Sequence, residues 1–301
     1  MQSFSRGWSF LKQAWDMAFK DKDLLKPSIY ALIVGMVVTV IGMIPIIGAA
    51  VLVGGSRVGN GILFVLSGIL IFIQFVVGYV FSGMTAYLIY GYLSEGDGRM
   101  DKAWTVIRRD FFDILTLAAA STAVSLLRNA ANRNRGRSSI AAGMMREATG
   151  LLQVLWTEAA ALILPAMVID DLNLKAALDR IWKITKDNVL LIGISTVGVR
   201  WVTGLIGFLF GLIGFVIAFA IGGGLAYVSG GDTTVSVVGI AVGVFIFFTF
   251  VMVASVFGSY TSTAYHTCLY IWARELEKAH AKGSSIQVAA PAPLAAALAP
   301  S

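Results

Sequence analysis

The sequence predicts an all-α protein, a polytopic bundle of about six transmembrane helices with amphipathic helices at the membrane surface. Three observations support this fold class. Charged residues make up 13% of the 301-residue chain, against about a quarter in a typical soluble protein. Hydrophobic residues make up 57%, more than a folded chain can remove from water by itself. These residues fall in long runs, and a run of about 20 crosses the hydrocarbon core as a helix.

Residues 1–27 are predicted to form an amphipathic helix on the membrane surface. Its apolar residues recur at helical spacing and make one stripe, which consists of Phe4, Trp8, Leu11, Trp15 and Phe19. Aromatic side chains suit the headgroup region, so the four aromatic members of the stripe are the expected interfacial anchors. Pro27 is expected to end the helix. The alternative is a helix packed on cytosolic loops of the protein itself.

Six apolar segments form the expected transmembrane domain, residues 28–276. The expected spans are residues 28–53, 61–93, 113–128, 150–169, 189–228 and 235–272. The third is the weakest and decides the topology. The fifth is nearly long enough for two spans but has no polar turn, so the run Gly222-Gly223-Gly224 is its expected break.

Residues 283–301 are rich in Ala and Pro, carry no charge, and are expected to form a disordered tail.

The distribution of basic residues orients the spans. With six spans and the N-terminus inside, the inner segments hold 16 Lys and Arg residues and the outer loops hold 6. The difference shrinks if residues 113–128 do not span, so the positive-inside rule favours six spans with both termini cytoplasmic. The Arg-rich loop 128–146 then lies outside, or the third and fourth segments form a hairpin that only partly crosses.

Two stretches of the sequence match each other and predict an internal repeat. Each opens with Lys-Ala, at Lys102 and at Lys175, and continues as a short amphipathic segment. An Asp follows, and a Ser-Thr pair comes at the same distance after it in both copies. The unit is a span, a surface helix and a second span, an arrangement that occurs in transporters. The alternative is chance similarity, because the match is short and low in complexity.

Several motifs are shared with a known family. They are Phe4-Ser5-Arg6-Gly7-Trp8, Ala14-Trp15, Asp21-Lys22-Asp23-Leu24-Leu25, Trp156, Leu164-Pro165-Ala166-Met167-Val168, Ala176-Ala177 and Arg180-Ile181-Trp182. These motifs resemble an uncharacterised prokaryotic membrane-protein family (domain of unknown function 6159). The layout is also loosely similar to the membrane domain attached to some glycerophosphodiesterases. The resemblance implies a multi-spanning helical protein of the prokaryotic plasma membrane, and it implies no activity.

Residues suited to catalysis are scarce. The chain has two histidines, His266 and His280, and one cysteine, Cys268. His266 and Cys268 fall on different faces of a helix, which makes a poor metal pair and a poor nucleophile–base pair. His280 is expected to be solvated, and Asp170-Asp171 is interpreted as a solvated loop rather than a cation site. No zinc-protease, esterase or phosphate-loop motif occurs. We therefore expect no enzymatic activity, no cofactor and no metal site.

One pair of charges is predicted inside the membrane. Glu158 lies in the fourth segment ahead of Asp170, and Arg200 lies in the fifth at the same separation from Asn188. At about 1.5 Å per residue, both lie about 18 Å from the same membrane surface. An unpaired charge at this depth is costly, so Glu158 and Arg200 are predicted to form an ion pair. The pair is either a clasp between two helices, which is favoured, or a substrate or proton site.

Glycine spacing predicts a second feature of the fifth segment. Gly204, Gly207, Gly211 and Gly214 fall on one helix face. Such a face lets another helix approach closely, within the protein or in a second copy, and packing within the protein is the commoner use. Gln74, in the second segment, is expected to hydrogen-bond a neighbouring helix.

Two functions are compatible with these features. The first is a non-catalytic membrane scaffold or an accessory subunit of a membrane complex, and the second is a transporter or channel that uses Glu158 and Arg200. Expected partners are membrane lipids and either other proteins or further copies of the chain. Nucleic acid is not expected, because the basic residues are not interleaved with aromatic ones as in nucleic-acid-binding proteins.

Overall fold

The structure is a computed structural model that describes the backbone of residues 2–54, 56–133, 140–228, 233–281 and 289–298. Within these ranges, the side chains of residues 2–6, 57, 133, 140–142, 185–201, 226, 233–234, 280–281 and 296–298 are not described.

The described residues form helices and the short connections between them, with no strand among them, which confirms the predicted all-α class. The helices are α1 (Gln2–Lys20), α2 (Lys26–Val53), α3 (Arg57–Glu95), α4 (Met100–Arg109), α5 (Phe111–Arg133), α6 (Ile140–Asp170), α7 (Leu174–Ala218), α8 (Gly224–Val228), α9 (Thr233–Ala281) and α10 (Ala292–Leu298). A 3₁₀ turn over Lys22–Leu24 precedes α2, and a π-helical segment over Phe219–Gly223 joins α7 to α8.

Among the described residues, six helices are long and apolar enough to cross a membrane, which matches the six spans expected from sequence. They contain Lys22–Val53, Val58–Glu95, Phe111–Asn132, Gly143–Asp170, Val202–Gly223 and Val235–Ala279. The third, the weakest segment by sequence, is one continuous helix, α5, that extends beyond residues 113–128 at both ends. The architecture is therefore that of a multi-pass membrane protein.

The contacts between helices divide the chain into two compact units. Unit 1 comprises Met1–Lys20, Leu190–Tyr265 and Ala292–Ser301, and unit 2 comprises Asp21–Val189 and His266–Pro291. In unit 2, α3 is the central helix and packs against α2, α4, α5 and α6. In unit 1, α1 packs against the C-terminal helix α10.

The boundary between α1 and α2 differs from the prediction. α1 ends before Pro27, because Asp21 begins the 3₁₀ turn by accepting a hydrogen bond from the Asp23 N–H at 2.9 Å. Pro27 lies in the first turn of α2, where a residue without an N–H is tolerated because the first donors of a helix have no intrahelical acceptor. The second carboxylate oxygen of Asp21 accepts from the Gly98 N–H at 2.8 Å. That bond ties the turn to the segment that follows α3.

Hydrogen bonds between helices hold unit 2 together inside the candidate spans. Gln74 donates to the Gly35 carbonyl at 2.9 Å, which confirms the expectation that it bonds a neighbouring helix. Ser121 of α5 pairs with the Tyr79 hydroxyl at 2.7 Å and accepts from the Trp156 indole N–H at 2.8 Å. Ser121 thereby joins α3, α5 and α6 where no water competes.

The predicted aromatic stripe of α1 divides between two environments. Trp8 and Phe19 are 51% and 69% exposed, as interfacial anchors would be. Trp15 instead packs against α9, where its ring stacks on Phe257 at 4.3 Å and its N–H donates to Thr261 at 3.0 Å. The Phe4 side chain lies outside the described residues. α1 therefore uses its apolar surface both to pack within unit 1 and to expose aromatic rings.

The C-terminal tail also differs from the prediction. The sequence predicts disorder over residues 283–301, but α10 lies within them and packs on α1. Its Leu294 side chain is fully buried. An uncharged Ala-rich segment has good helix propensity, and burial of Leu294 adds the apolar contact that a short helix needs.

The two copies of the predicted repeat differ in their helix boundaries. In the first copy, α4 ends at Arg109 and α5 begins at Phe111, so the surface helix and the span are separate. In the second copy, α7 runs without interruption from Leu174 to Ala218. The repeat stays a prediction.

The glycines of α7 make fewer close contacts than the sequence predicts. A Cβ added at Gly214 would lie 2.5 Å from the Phe250 Cβ, so this glycine packs against α9. At Gly204, Gly207 and Gly211, an added Cβ would meet no described atom within 4 Å. The close approach occurs further along, at the expected break: Gly222 in the π-helical segment lies directly against Gly243 of α9.

Candidate functional site

A tight turn between α6 and α7 positions the first residues of the site. Asp171 has a left-handed backbone, φ 56°, and ends α6; the Leu172 N–H then bonds back to the Met167 carbonyl at 3.3 Å. Asn173 caps α7 by accepting from the Ala176 N–H at 2.9 Å. Asp170, the last residue of α6, is thus held beside the first turns of α7.

Asp170 is the centre of a charged cluster contributed by several helices. Its carboxylate accepts from Arg180 of α7 at 2.9 Å and from Arg274 of α9 at 2.9 Å. Tyr270, one turn before Arg274, donates its hydroxyl to the same carboxylate. Glu277 accepts from Arg180 at 3.1 Å. We call these five residues the Asp170 cluster.

Burial and aromatic rings strengthen the cluster. The side chains of Asp170, Arg180 and Arg274 are 18%, 24% and 10% exposed. The guanidinium of Arg274 lies 5.2 Å from the ring centroid of Tyr90 on α3, so the cluster extends to a fourth helix. Each arginine also has a buried Nε–H with no acceptor among the described residues. Two carboxylates and two guanidinium groups pair within the cluster, and a third carboxylate, that of Glu275, lies 3.3 Å from Arg274.

A second group of charges lies where α4 meets α5, also in unit 2. Arg109 contacts Asp110 at 2.6 Å and Asp171 at 3.2 Å. Burial raises the pKa of the Asp110 carboxyl above its usual value, although Arg109 opposes this shift. Arg109 therefore links the start of α5 to the turn that holds Asp170.

Glu158 contacts His266, which the sequence does not predict as its partner. Its carboxylate oxygen lies 3.4 Å from Nε2 of His266 on α9, at the long end of hydrogen-bond distances. The side chains of Glu158 and His266 are 27% and 10% exposed. The Arg200 side chain lies outside the described residues, so the Glu158–Arg200 ion pair stays a prediction. The His280 side chain lies outside them as well.

The aspartate pair departs from its sequence interpretation at one position. Asp171 is 64% exposed, as a loop residue would be, but Asp170 is a paired helix-end residue rather than part of a solvated loop. Tyr270, Arg274 and Glu277 are members of the site that the sequence analysis misses. They are spaced by four and three residues in the sequence, which places them on one helix face. This spacing is the sequence pattern that could have indicated them as members of one site.

Comparison with family models and with curated proteins finds no match for the chain. The likeness to an uncharacterised prokaryotic membrane-protein family therefore stays a prediction from the motifs. Among the described residues, no group of three His, Cys, Asp or Glu side chains could hold a metal ion.

The pairing of Glu158 can be tested by double-mutant cycles. Glu158→Gln is expected to lower the unfolding midpoint in detergent, because it removes a charge that α9 contacts through His266 and that Arg200 is predicted to neutralise. Adding Arg200→Gln is expected to restore part of the loss. A coupling of about 1–3 kcal/mol with Arg200 or with His266 identifies the dominant partner. Unchanged stability in both the Glu158→Gln and Arg200→Gln variants would rule out the Arg200 pairing.

Proposed function

We propose that this protein is a non-catalytic membrane scaffold or an accessory subunit of a membrane complex. The observation that carries the proposal is the Asp170 cluster, in which Asp170 and Glu277 form ion pairs with Arg180 and Arg274 across α6, α7 and α9. Charges paired in this way have little capacity left for a substrate, and they fix the positions of the helix ends that carry them. Hydrogen bonds between spans at Gln74 and Ser121 serve the same purpose.

The surface helices supply docking positions for partners in this proposal. Trp182 on the first turns of α7 is 72% exposed, and its neighbours include exposed basic residues. A photo-cross-linking residue placed at Trp182 in cells is expected to give one discrete adduct of constant stoichiometry. The control position is Leu52 near the end of α2, which is 83% exposed and is expected to give lipid adducts only. Equal, diffuse labelling from both positions would contradict a scaffold role.

A transporter or channel is the second candidate, and one observation favours it. Glu158 and His266 are ionisable side chains in contact within two candidate spans, Gly143–Asp170 and Val235–Ala279. Ionisable residues at such positions often mark a proton or substrate path. Reconstituted vesicles distinguish the candidates: a proton or solute flux that Glu158→Gln abolishes supports transport, and no flux above that of empty vesicles supports the scaffold.

The topology follows the charge distribution, and the location follows the resemblance of the motifs. We place both termini in the cytoplasm, because Lys and Arg concentrate on one side of the six spans. We place the protein in the prokaryotic plasma membrane, because its motifs resemble those of a prokaryotic membrane-protein family. The internal repeat stays a prediction and fits the transporter candidate, since span–helix–span repeats occur in transporters.

A further inference from the structure

α4 and α5 meet at Asp110, and we call this junction the elbow. It lies at one end of the candidate span Phe111–Asn132. α5 enters its span at Phe111, directly after the buried Asp110. α4 is fixed beside α3 because Ile107 packs where Gly83 leaves room: a Cβ at Gly83 would lie 2.9 Å from Ile107 and 3.3 Å from Val168 of α6. The elbow is therefore fixed beside α3. Because the candidate span begins at Phe111, we expect the elbow at the depth where hydrocarbon gives way to headgroups.

The surface of the elbow carries two exposed aromatic rings and one exposed cation, with Trp104 and Arg108 on α4 and Phe112 on α5. Trp104 is 42% exposed and Phe112 is 78% exposed. Arg108, between them in sequence, is exposed and places its guanidinium 5.2 Å from the centroid of the Trp104 ring. Tryptophan and phenylalanine suit the boundary between headgroups and acyl chains, so this surface suits a lipid rather than bulk water.

Arg108 differs from the other basic residues of the same segment. Arg99, Lys102 and Arg109 each contact a carboxylate, at 2.7 Å, 2.8 Å and 2.6 Å respectively. Arg108 has no ion-pair partner among the described side chains, and its described contact is the face of Trp104. A guanidinium has five N–H donors and no acceptor. Stacking on the ring orients those donors while leaving them available to an incoming anion.

We propose that Trp104, Arg108 and Phe112 form a binding site for an anionic phospholipid. Arg108 donates hydrogen bonds to the phosphodiester group, because a planar guanidinium matches two phosphate oxygens at once. Trp104 lies at the level of the glycerol backbone, and Phe112, on the first turn of the span, contacts the acyl chains. The net negative headgroup is selected because Arg108 brings an unneutralised positive charge to the elbow.

Lipid binding to the full-length protein in detergent tests the site. Native mass spectrometry gives separate binding constants for phosphatidylglycerol and phosphatidylcholine. We expect Arg108→Gln to weaken phosphatidylglycerol binding roughly five-fold and to leave phosphatidylcholine unchanged, since one basic residue contributes about a factor of five near an anionic surface. Arg108→Lys is expected to retain most of the preference and Trp104→Ala to lose part of it, so the proposal stays testable if one variant does not fold.

The matched control is Lys175→Gln, which removes one exposed charge from the first turn of α7. It is expected to leave phosphatidylglycerol binding unchanged. Equal losses in the Arg108→Gln and Lys175→Gln variants would show general surface charge and overturn the site, as would no loss in Arg108→Gln. Free glycerophosphoglycerol supplies the same phosphodiester without acyl chains. If it displaces the lipid at equal concentration, the ligand is a soluble anion and the lipid assignment is wrong.

Discussion

Replacing Asp170 with Asn is expected to destabilise the protein by about 2–4 kcal/mol, because removing one partner of a buried ion pair costs about 3–5 kcal/mol and partial exposure of this cluster lowers that figure. The change removes the negative charge that Arg180 and Arg274 share and leaves two largely buried guanidinium groups near each other. The measurement is the unfolding free energy in detergent, from denaturant titration at neutral pH.

Asp171→Asn is the matched control for this prediction. It makes the same chemical change one residue away, at a side chain that is 64% exposed. Asn tolerates the left-handed backbone of this position nearly as well as Asp. Asp171→Asn is expected to cost about 1 kcal/mol or less, since an exposed ion pair contributes at most about 1 kcal/mol. Equal effects of the two substitutions would mean that the Asp170 cluster does not hold α6, α7 and α9 together.

The fold class is predictable from sequence because bilayer physics leaves a strong mark on composition. Charged residues are too few for a soluble protein, and every apolar run except the third, residues 113–128, has about 20 residues or more, enough for a helix to cross the membrane. The local exceptions have local causes. Pro27 is compatible both with a helix end and with a first helical turn, and only the cap made by Asp21 selects the second position.

The candidate site is only partly predictable because its members come from distant parts of the chain. Glu158 is recognisable as an intramembrane charge from its position in an apolar run. Its contact with His266 depends on how α6 and α9 pack, which no spacing rule gives. Asp170 resembles part of a solvated loop in the sequence, since two adjacent aspartates near a turn usually are solvated. The structure contradicts that interpretation, because Arg274, which is distant in the sequence, donates a hydrogen bond to the Asp170 carboxylate.

Gly222 is the position where a single methyl group is expected to have a large effect. A Cβ there would lie 2.7 Å from the Gly239 carbonyl oxygen and 3.0 Å from the Gly243 Cα. Both neighbours are backbone atoms of α9, so they cannot move aside without moving the helix. Gly222→Ala is therefore expected to cost about 1–3 kcal/mol, although alanine is the better helix former by about 1 kcal/mol.

Gly223→Ala separates the steric effect from helix propensity. Gly223 lies in the same π-helical segment, and an added Cβ there would meet no described atom within 4 Å. This variant is expected to be neutral or slightly more stable, since only the difference in helix propensity between alanine and glycine remains.

Gly243→Ala, whose Cβ would lie 2.8 Å from the Ala218 carbonyl oxygen, is expected to resemble Gly222→Ala. Unfolding midpoints in detergent give the comparison. A neutral Gly222→Ala would mean that the π-helical segment and α9 do not approach as closely as the glycine contact requires, because backbone atoms at these distances leave no room for a methyl group.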